Sequence, residues 1–265
     1  MNDNIKLLID KAVYNIIENT SSIKKLEKLE SKHNCKIHFI PKRYRIFGGL
    51  LQSMNIQFGN FIEQLISLII QNDGRYEIIQ KYSGNRSNNF KISLSNENLI
   101  DEYISRCQYE NINIDIEFKK LINNILNNNN DKNTVSFKHD IDLLFKDKLS
   151  KKIYYLEIKY NDDHDTGKFV DINRKFIKTY AYLSKELNVK TYDELIPIIF
   201  FFTNKKLKGN IYVPETTNIK RGKSFFDEFL NISYSDVDEY LLNLSENETT
   251  LRQFNILYNK VINNY

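Results

Sequence analysis

Cysteine is scarce. The 265 residues hold two, Cys35 and Cys107, too far apart in the chain to suggest a disulfide framework, and both read as reduced thiols. Three prolines leave no Pro-rich linker between domains. No segment approaches the roughly 20 uninterrupted apolar residues of a membrane span. The opening MNDNIKLLIDKAVYNIIENT carries charges throughout and does not read as a signal peptide, so the expectation is a soluble, cytoplasmic protein. No GxxxxGK[ST] or GxGxxG loop occurs, which argues against a nucleotide as fuel. Ser/His/Asp and Cys/His catalysis have no motif behind them. HNCKIH groups His33, Cys35 and His38 without zinc spacing or a second ligand pair. Asp162, Asp163 and Asp165 lack the alternation and closing Glu of a calcium loop and read as turn and helix-cap residues. What is present is 41% hydrophobic residues, enough for a sizeable core, and a formal net charge of +4, which permits a nucleic-acid partner without requiring one.

Residues 4–31 are helical in pattern, as two helices broken near NTSS at 19–22. Ile62, Leu65, Ile66, Ile69 and Ile70 fall at i, i+3, i+4, i+7 and i+8, one apolar helix face, with Gly59 and Asn60 near its start and Asn72 and Asp73 at its close. RYEIIQKYS (75–83) suits a strand and SNENLIDEYISRC (95–107) a capped helix. NNNNDKN (127–133) is a polar linker. Residues 134–146 and 152–160 read as two strands joined by a charged turn, 168–187 as a helix and 195–204 as a buried strand. Helices follow at 222–231, 235–245 and 248–263. The pattern predicts an α/β fold: a small mixed sheet flanked by many helices, in a single domain over 1–265 with helical elaborations at both ends.

The two middle strands carry acids. Side chains alternate across a strand, so Asp140, Asp142 and Leu144 share one face and Ile141, Leu143 and Phe145 the other. Glu157 and Lys159 likewise share a face. If the strands pair, Asp142, Glu157 and Lys159 gather on one side while the apolar side packs on the core. Carboxylates are costly in a sheet unless something binds them, and two of them suit Mg²⁺, a hard cation that takes oxygen ligands. A lysine beside them holds a phosphate oxygen or orients a water, the parts of metal-assisted phosphodiester hydrolysis. The E-x-K spacing alone is weak. It also occurs at Glu30/Lys32, on a charged helix, and at Glu117/Lys119. The latter segment alternates, but Phe118, Leu121, Ile122 and Ile125 favour a helix there.

The constellation resembles the PD-(D/E)xK nuclease superfamily. The resemblance implies that Asp142 and Glu157, with the Ile158 carbonyl, bind the metal and that Lys159 assists the water. Ile141 stands where the pattern has Pro, and Asp140 is the alternative first acid. FGNFIEQLISLII resembles the helix that precedes the hairpin in such nucleases, and makes Glu63 a supporting acid. The order helix, Asp strand, E-x-K strand, helix, apolar strand, over about 55–205, is similar to type II restriction endonucleases. EIKYNDDHDTGKF and IKRGKSFFDEFL are similar to the HinfI or TdeIII kind. That resemblance implies sequence-specific cleavage of double-stranded DNA leaving 5′-phosphates, Mg²⁺ with Mn²⁺ as a substitute, a homodimer, and a cognate DNA methyltransferase as functional partner. Candidate DNA contacts are Lys42, Arg43 and Arg45 in PKRYRIFGG, Lys168, Asn173, Arg174, Lys175 and Lys178 on the helix after the hairpin, and Arg221 with Lys223 before a later helix. The alternatives are a junction-resolving or repair nuclease of the same superfamily and a non-catalytic DNA-binding protein.

Overall fold

In the computed structural model, which describes every residue except 2, 85–87, 129–132, 209–211 and 265, the alternating middle of the sequence becomes sheet and both ends become helix. The chain starts with α1 (Asp3–Thr20) and α2 (Ile23–Asn34), broken where expected. Next comes α3 (Lys42–Asn72), which begins well before Gly59. Pro41 precedes it, and its carbonyl accepts from the amides of Tyr44 and Arg45. The glycines do not interrupt the helix, because Ile46, Leu50, Met54, Phe61 and Leu65 keep a buried face across them. Gly49 has a reason of its own: a Cβ there would lie 2.9 Å from Leu29 Cδ2, so its absence lets α2 pack closely.

The middle of the chain runs β1 (Tyr76–Ile78), β2 (Asn89–Ser93), α4 (Leu94–Tyr109), α5 (Ile114–Asn127), β3 (Thr134–Lys138), β4 (Leu143–Asp147), β5 (Ile153–Lys159), α6 (Thr166–Glu186), β6 (Leu195–Phe201), β7 (Ile219–Arg221) and α7 (Gly222–Phe229). The chain ends in α8 (Tyr234–Ser245) and α9 (Glu248–Asn264). Residues 129–132 of the polar linker lie outside the described residues. Two compact units result, one of residues 1–65 and 232–265, the other of 66–231.

The helical unit is cored by Ile17, Leu26, Leu29, Ile46, Leu50, Met54, Leu257 and Val261. Each such side chain contributes about 1.5–3 kcal/mol by leaving water.

The second unit holds a five-stranded mixed sheet in the order β1-β4-β5-β6-β7, antiparallel from β1 to β5 and parallel from β5 to β7. The mixed α/β class is thus as the alternation implied. Two parallel neighbours need a crossover, and α6 supplies it between β5 and β6. LIPIIFF of β6 lies inside the sheet, which is why its apolar run is continuous. On one face Tyr155 stacks on Phe176 of α6. On the other, Phe145, Tyr154 and Phe200 meet Phe225 and Phe229 of α7.

One expected strand divides. Residues 134–138 pair with β2 in a separate two-stranded sheet, and only 143–147 join the large one. Between them the chain bends, with Ile141 bridged to Gly84. Gly84 sits at φ +90°, a conformation that side chains disfavour. The segment 114–127 is helix, as its apolar spacing implied. Asn113 caps it, and Glu117 pairs with Arg106 and Lys120.

Candidate active site

The register of β4 on β5 sets Leu143 opposite Leu156 and Leu144 opposite Tyr155. One step further, Asp142 stands opposite Glu157. Asp142 is at the bend just before β4, where the backbone ladder of β4 on β5 has not yet begun. Instead its Oδ2 accepts the Ile158 amide at 2.7 Å. Lys159 Nζ lies 2.7 Å from Glu157 Oε1 and 3.5 Å from Asp142 Oδ2, and donates to the Ile158 carbonyl at 2.9 Å. The three side chains expected to meet do meet, on the face of the sheet that α6 covers. Asp140, the alternative acid, accepts from the Asn88 amide.

Three more groups stand by the acids: His139, which the sequence set beside the site without a fixed role, and Tyr155 and Thr179, which it did not single out. Tyr155, two residues before Glu157 on the same strand face, donates its hydroxyl to Glu157 Oε2 at 3.2 Å. His139 places Nε2 3.6 Å from Glu157 Oε1 and Nδ1 2.8 Å from Thr179 Oγ1 on α6. The alternation of β5 pointed to Tyr155. No local signal pointed to the His139–Thr179 contact, which joins residues forty apart.

Burial and then repulsion by Glu157 push the Asp142 carboxyl up to about 6, against the pull of Lys159. Burial acts on Glu157 in the same direction, but Lys159 and His139 outweigh it and hold that carboxyl down at about 2. Burial also keeps Tyr155 a phenol, and hence a donor. Two adjacent carboxylates, one raised and one lowered because the lysine does not balance both equally, form an oxygen donor set that fits a hard divalent cation. The Ile158 carbonyl adds a third oxygen. Among the described residues, no cluster of three or more His, Cys, Asp or Glu side chains is placed to hold a metal. Glu63 is half-buried on α3.

The predicted DNA contacts fall into two groups. Several are tied up inside the protein. Asn173 is fully buried and donates to the Phe169 carbonyl. Arg174 pairs with Asp101, and Lys178, itself buried, with Glu97. Arg221 pairs with the buried Asp162 and with Glu215. Arg45 donates to the carbonyls of His33 and Lys36. Lys42 pairs with Glu30, Lys175 with Asp171, and Lys223 with Asp227. Lys168 and Arg43 are exposed, Arg43 lying over the Tyr44 ring. Asp165 caps α6, accepting from the Lys168 amide, as its position after the hairpin suggested.

A mixed sheet with paired acids and a lysine at the end of its central strands is the arrangement of a restriction-endonuclease-like α/β enzyme. The sequence model of the family described as "Type II restriction endonuclease, HinfI" matches residues 1–245, and the chain belongs to that family. It is 60% identical, over 263 residues, to the type II restriction enzyme HinfI of Haemophilus influenzae, the match covering 99% of each chain. The chain is accordingly a site-specific deoxyribonuclease, of a class that generally works with a divalent metal ion. No solved structure was found to match it. None of the described helices is long and apolar enough to cross a membrane.

Proposed function

We propose that this enzyme is a PD-(D/E)xK nuclease that hydrolyses both strands of DNA with Mg²⁺ and leaves 5′-phosphates. The observation that carries the reading is the juxtaposition of Asp142 and Glu157 with Lys159 between them. Asp142, Glu157 and the Ile158 carbonyl would hold the Mg²⁺, with Mn²⁺ as a substitute. When bound, the ion supplies charge for the developing phosphorane and acidifies the attacking water. Lys159 orients the water and faces the phosphate oxygens. His139 and Tyr155 hold the two oxygens of Glu157 in place. In the step itself the water oxygen bonds to phosphorus, the bond to the 3′ oxygen breaks, and that oxygen leaves with a proton. The 5′ side keeps the phosphate.

Residues of about 55–205 serve as the catalytic core of one nuclease domain, and the helices at the two ends serve recognition. The enzyme acts in the cytoplasm as a homodimer on a twofold site, beside a methyltransferase that protects the host's own DNA. The test is a digest of unmethylated phage DNA in Mg²⁺, with EDTA and Lys159→Ala controls. Discrete bands that vanish in both controls, with 5′-phosphate ends on sequencing, are the expected result. Smearing or nicking points to a repair or junction-resolving nuclease. No cleavage in Mg²⁺ or Mn²⁺, with DNA still bound, points to a binding protein.

A further inference from the structure

We infer that the loop from α2 to α3, residues 36–41, is a wedge that inserts Ile37 and Phe39 between stacked bases of the substrate duplex. The inference rests on DNA being the substrate and concerns how it is gripped. Ile37 is completely exposed and Phe39 is 92% exposed, with Ile40 and Tyr44 also exposed beside them. Large apolar side chains left together in water mark a surface that something covers. The loop is also held in shape. Arg45 Nη1 donates to the carbonyls of His33 and Lys36, each at 3.3 Å, which ties both of them to the start of α3. His38 Nδ1 accepts the Ile40 amide at 2.9 Å, and the His38 ring stacks on Phe39 at 5.0 Å and 25°. The apolar side chains are therefore presented outward on a braced loop.

Charge selects the occupant. From Ser31 to Ile62 the sequence has no Asp or Glu, yet it carries Lys32, Lys36, Lys42, Arg43 and Arg45. Lys42 is paired with Glu30, whereas Lys32, Lys36 and Arg43 are exposed. A second copy of the chain meeting this face through a twofold axis would set these cations against one another. Phosphates flanking the wedge would neutralise them. Phe and Ile are side chains that unstack and kink a base step when inserted, and the His38–Phe39 pair offers a flat face for a base.

The test compares the intact protein with the Ile37→Ser/Phe39→Ser double variant, both also carrying Lys159→Ala so that the DNA stays whole. The duplex carries the cut site mapped with the wild-type enzyme, with 2-aminopurine placed in turn at each position across the site and its flanks. After binding is established by gel shift, a rise in fluorescence is expected at one base step with the parent and its loss with the double variant. In the cleavage-competent pair, KM should rise about tenfold, the scale of losing a stacked side chain. Thermal melting and the sedimentation mass should not change. No fluorescence rise at any position, or a rise that persists in the double variant, overturns the inference. So does a fall in sedimentation mass, which would make the loop an interface between copies. If the wild-type enzyme neither binds nor cuts any DNA, the underlying reading fails before the variant is examined.

Discussion

The two units handle polar groups in opposite ways. In residues 66–231, Asp147, Glu157, Asp162, Asn173 and Lys178 are buried, and each makes a hydrogen bond or ion pair inside the protein. In the helical unit, the buried polar residues among those described are Thr20 and Thr250, and the lysines and arginines ride outside the core. The same residue types therefore mean different things. On α6, Arg174 and Lys178 fasten one helix to another. Around the α2–α3 loop, Lys36 and Arg43 face solvent. A basic run becomes a ligand surface only where no carboxylate of the same chain has already taken it.

The largest effect that would sharpen this contrast is at the site. Lys159→Ala should lower the single-turnover cleavage rate about 10³-fold or more, while gel-shift affinity stays within about threefold, because the role proposed for the lysine is on the reacting phosphate. A comparable rate loss in Lys36→Ala would erase the distinction between the units. Next in size, Glu97→Ala strands the buried Lys178 ammonium and should cost about 3 kcal/mol in urea unfolding. The double replacement Glu97→Leu/Lys178→Met should recover most of it. A single variant that melts like wild type would show the pair to be idle.

A third effect depends on pH. Arg75 first, then the turn amides of Leu149 and Ser150, hold Asp147 at about 2, below its usual value. A depressed carboxyl stabilises the fold fully above its unfolded value of about 4 and loses that stabilisation as pH falls through the folded one. Urea midpoints should therefore drop between about pH 4 and 2, and Arg75→Gln should flatten that limb. The smallest effect belongs to the surface. Arg43→Ala or Lys36→Ala should weaken DNA binding a few-fold and lower the slope of affinity against salt by about 1, with the urea midpoint unmoved. Arg174→Ala should do the reverse, shifting the midpoint and leaving the salt slope alone.

Much of the hairpin could be read from alternation, because a two-residue period puts Glu157 and Lys159 on one face of their strand and, once the strands pair, Asp142 beside them. The helix at 114–127 was legible for a similar reason: Phe118, Leu121, Ile122 and Ile125 repeat at helical spacing, and Asp115 and Glu117 are incidental to it. The division of 134–146 was not legible. It depends on β2, a partner more than forty residues away, and local pattern carries no record of a distant partner. Gly59 and Asn60 suggested the start of a helix that in fact begins at Lys42, and Gly49 within it serves the approach of Leu29, a tertiary contact. The candidate DNA contact Asn173 shares a helix face with buried apolar residues. It lies three, four and seven residues before Phe176, Ile177 and Tyr180, on the apolar face of α6.

The place where Asp142 stands has a mechanical consequence. Glu157 belongs to a strand with a ladder on both sides, so it is a fixed jaw. Asp142 lies on the short span where the chain leaves one sheet for another, steadied by the Ile141–Gly84 bridge and by the Ile158 amide. It sits on a bend outside the ladder, so the two acids are positioned by different parts of the fold. His139, the residue after β3, reaches Glu157 Oε1 at 3.6 Å, so the chain that leaves the small β2–β3 sheet touches both acids. Gly84, remote from the acids in sequence, helps to position the first of them through its bridge to Ile141.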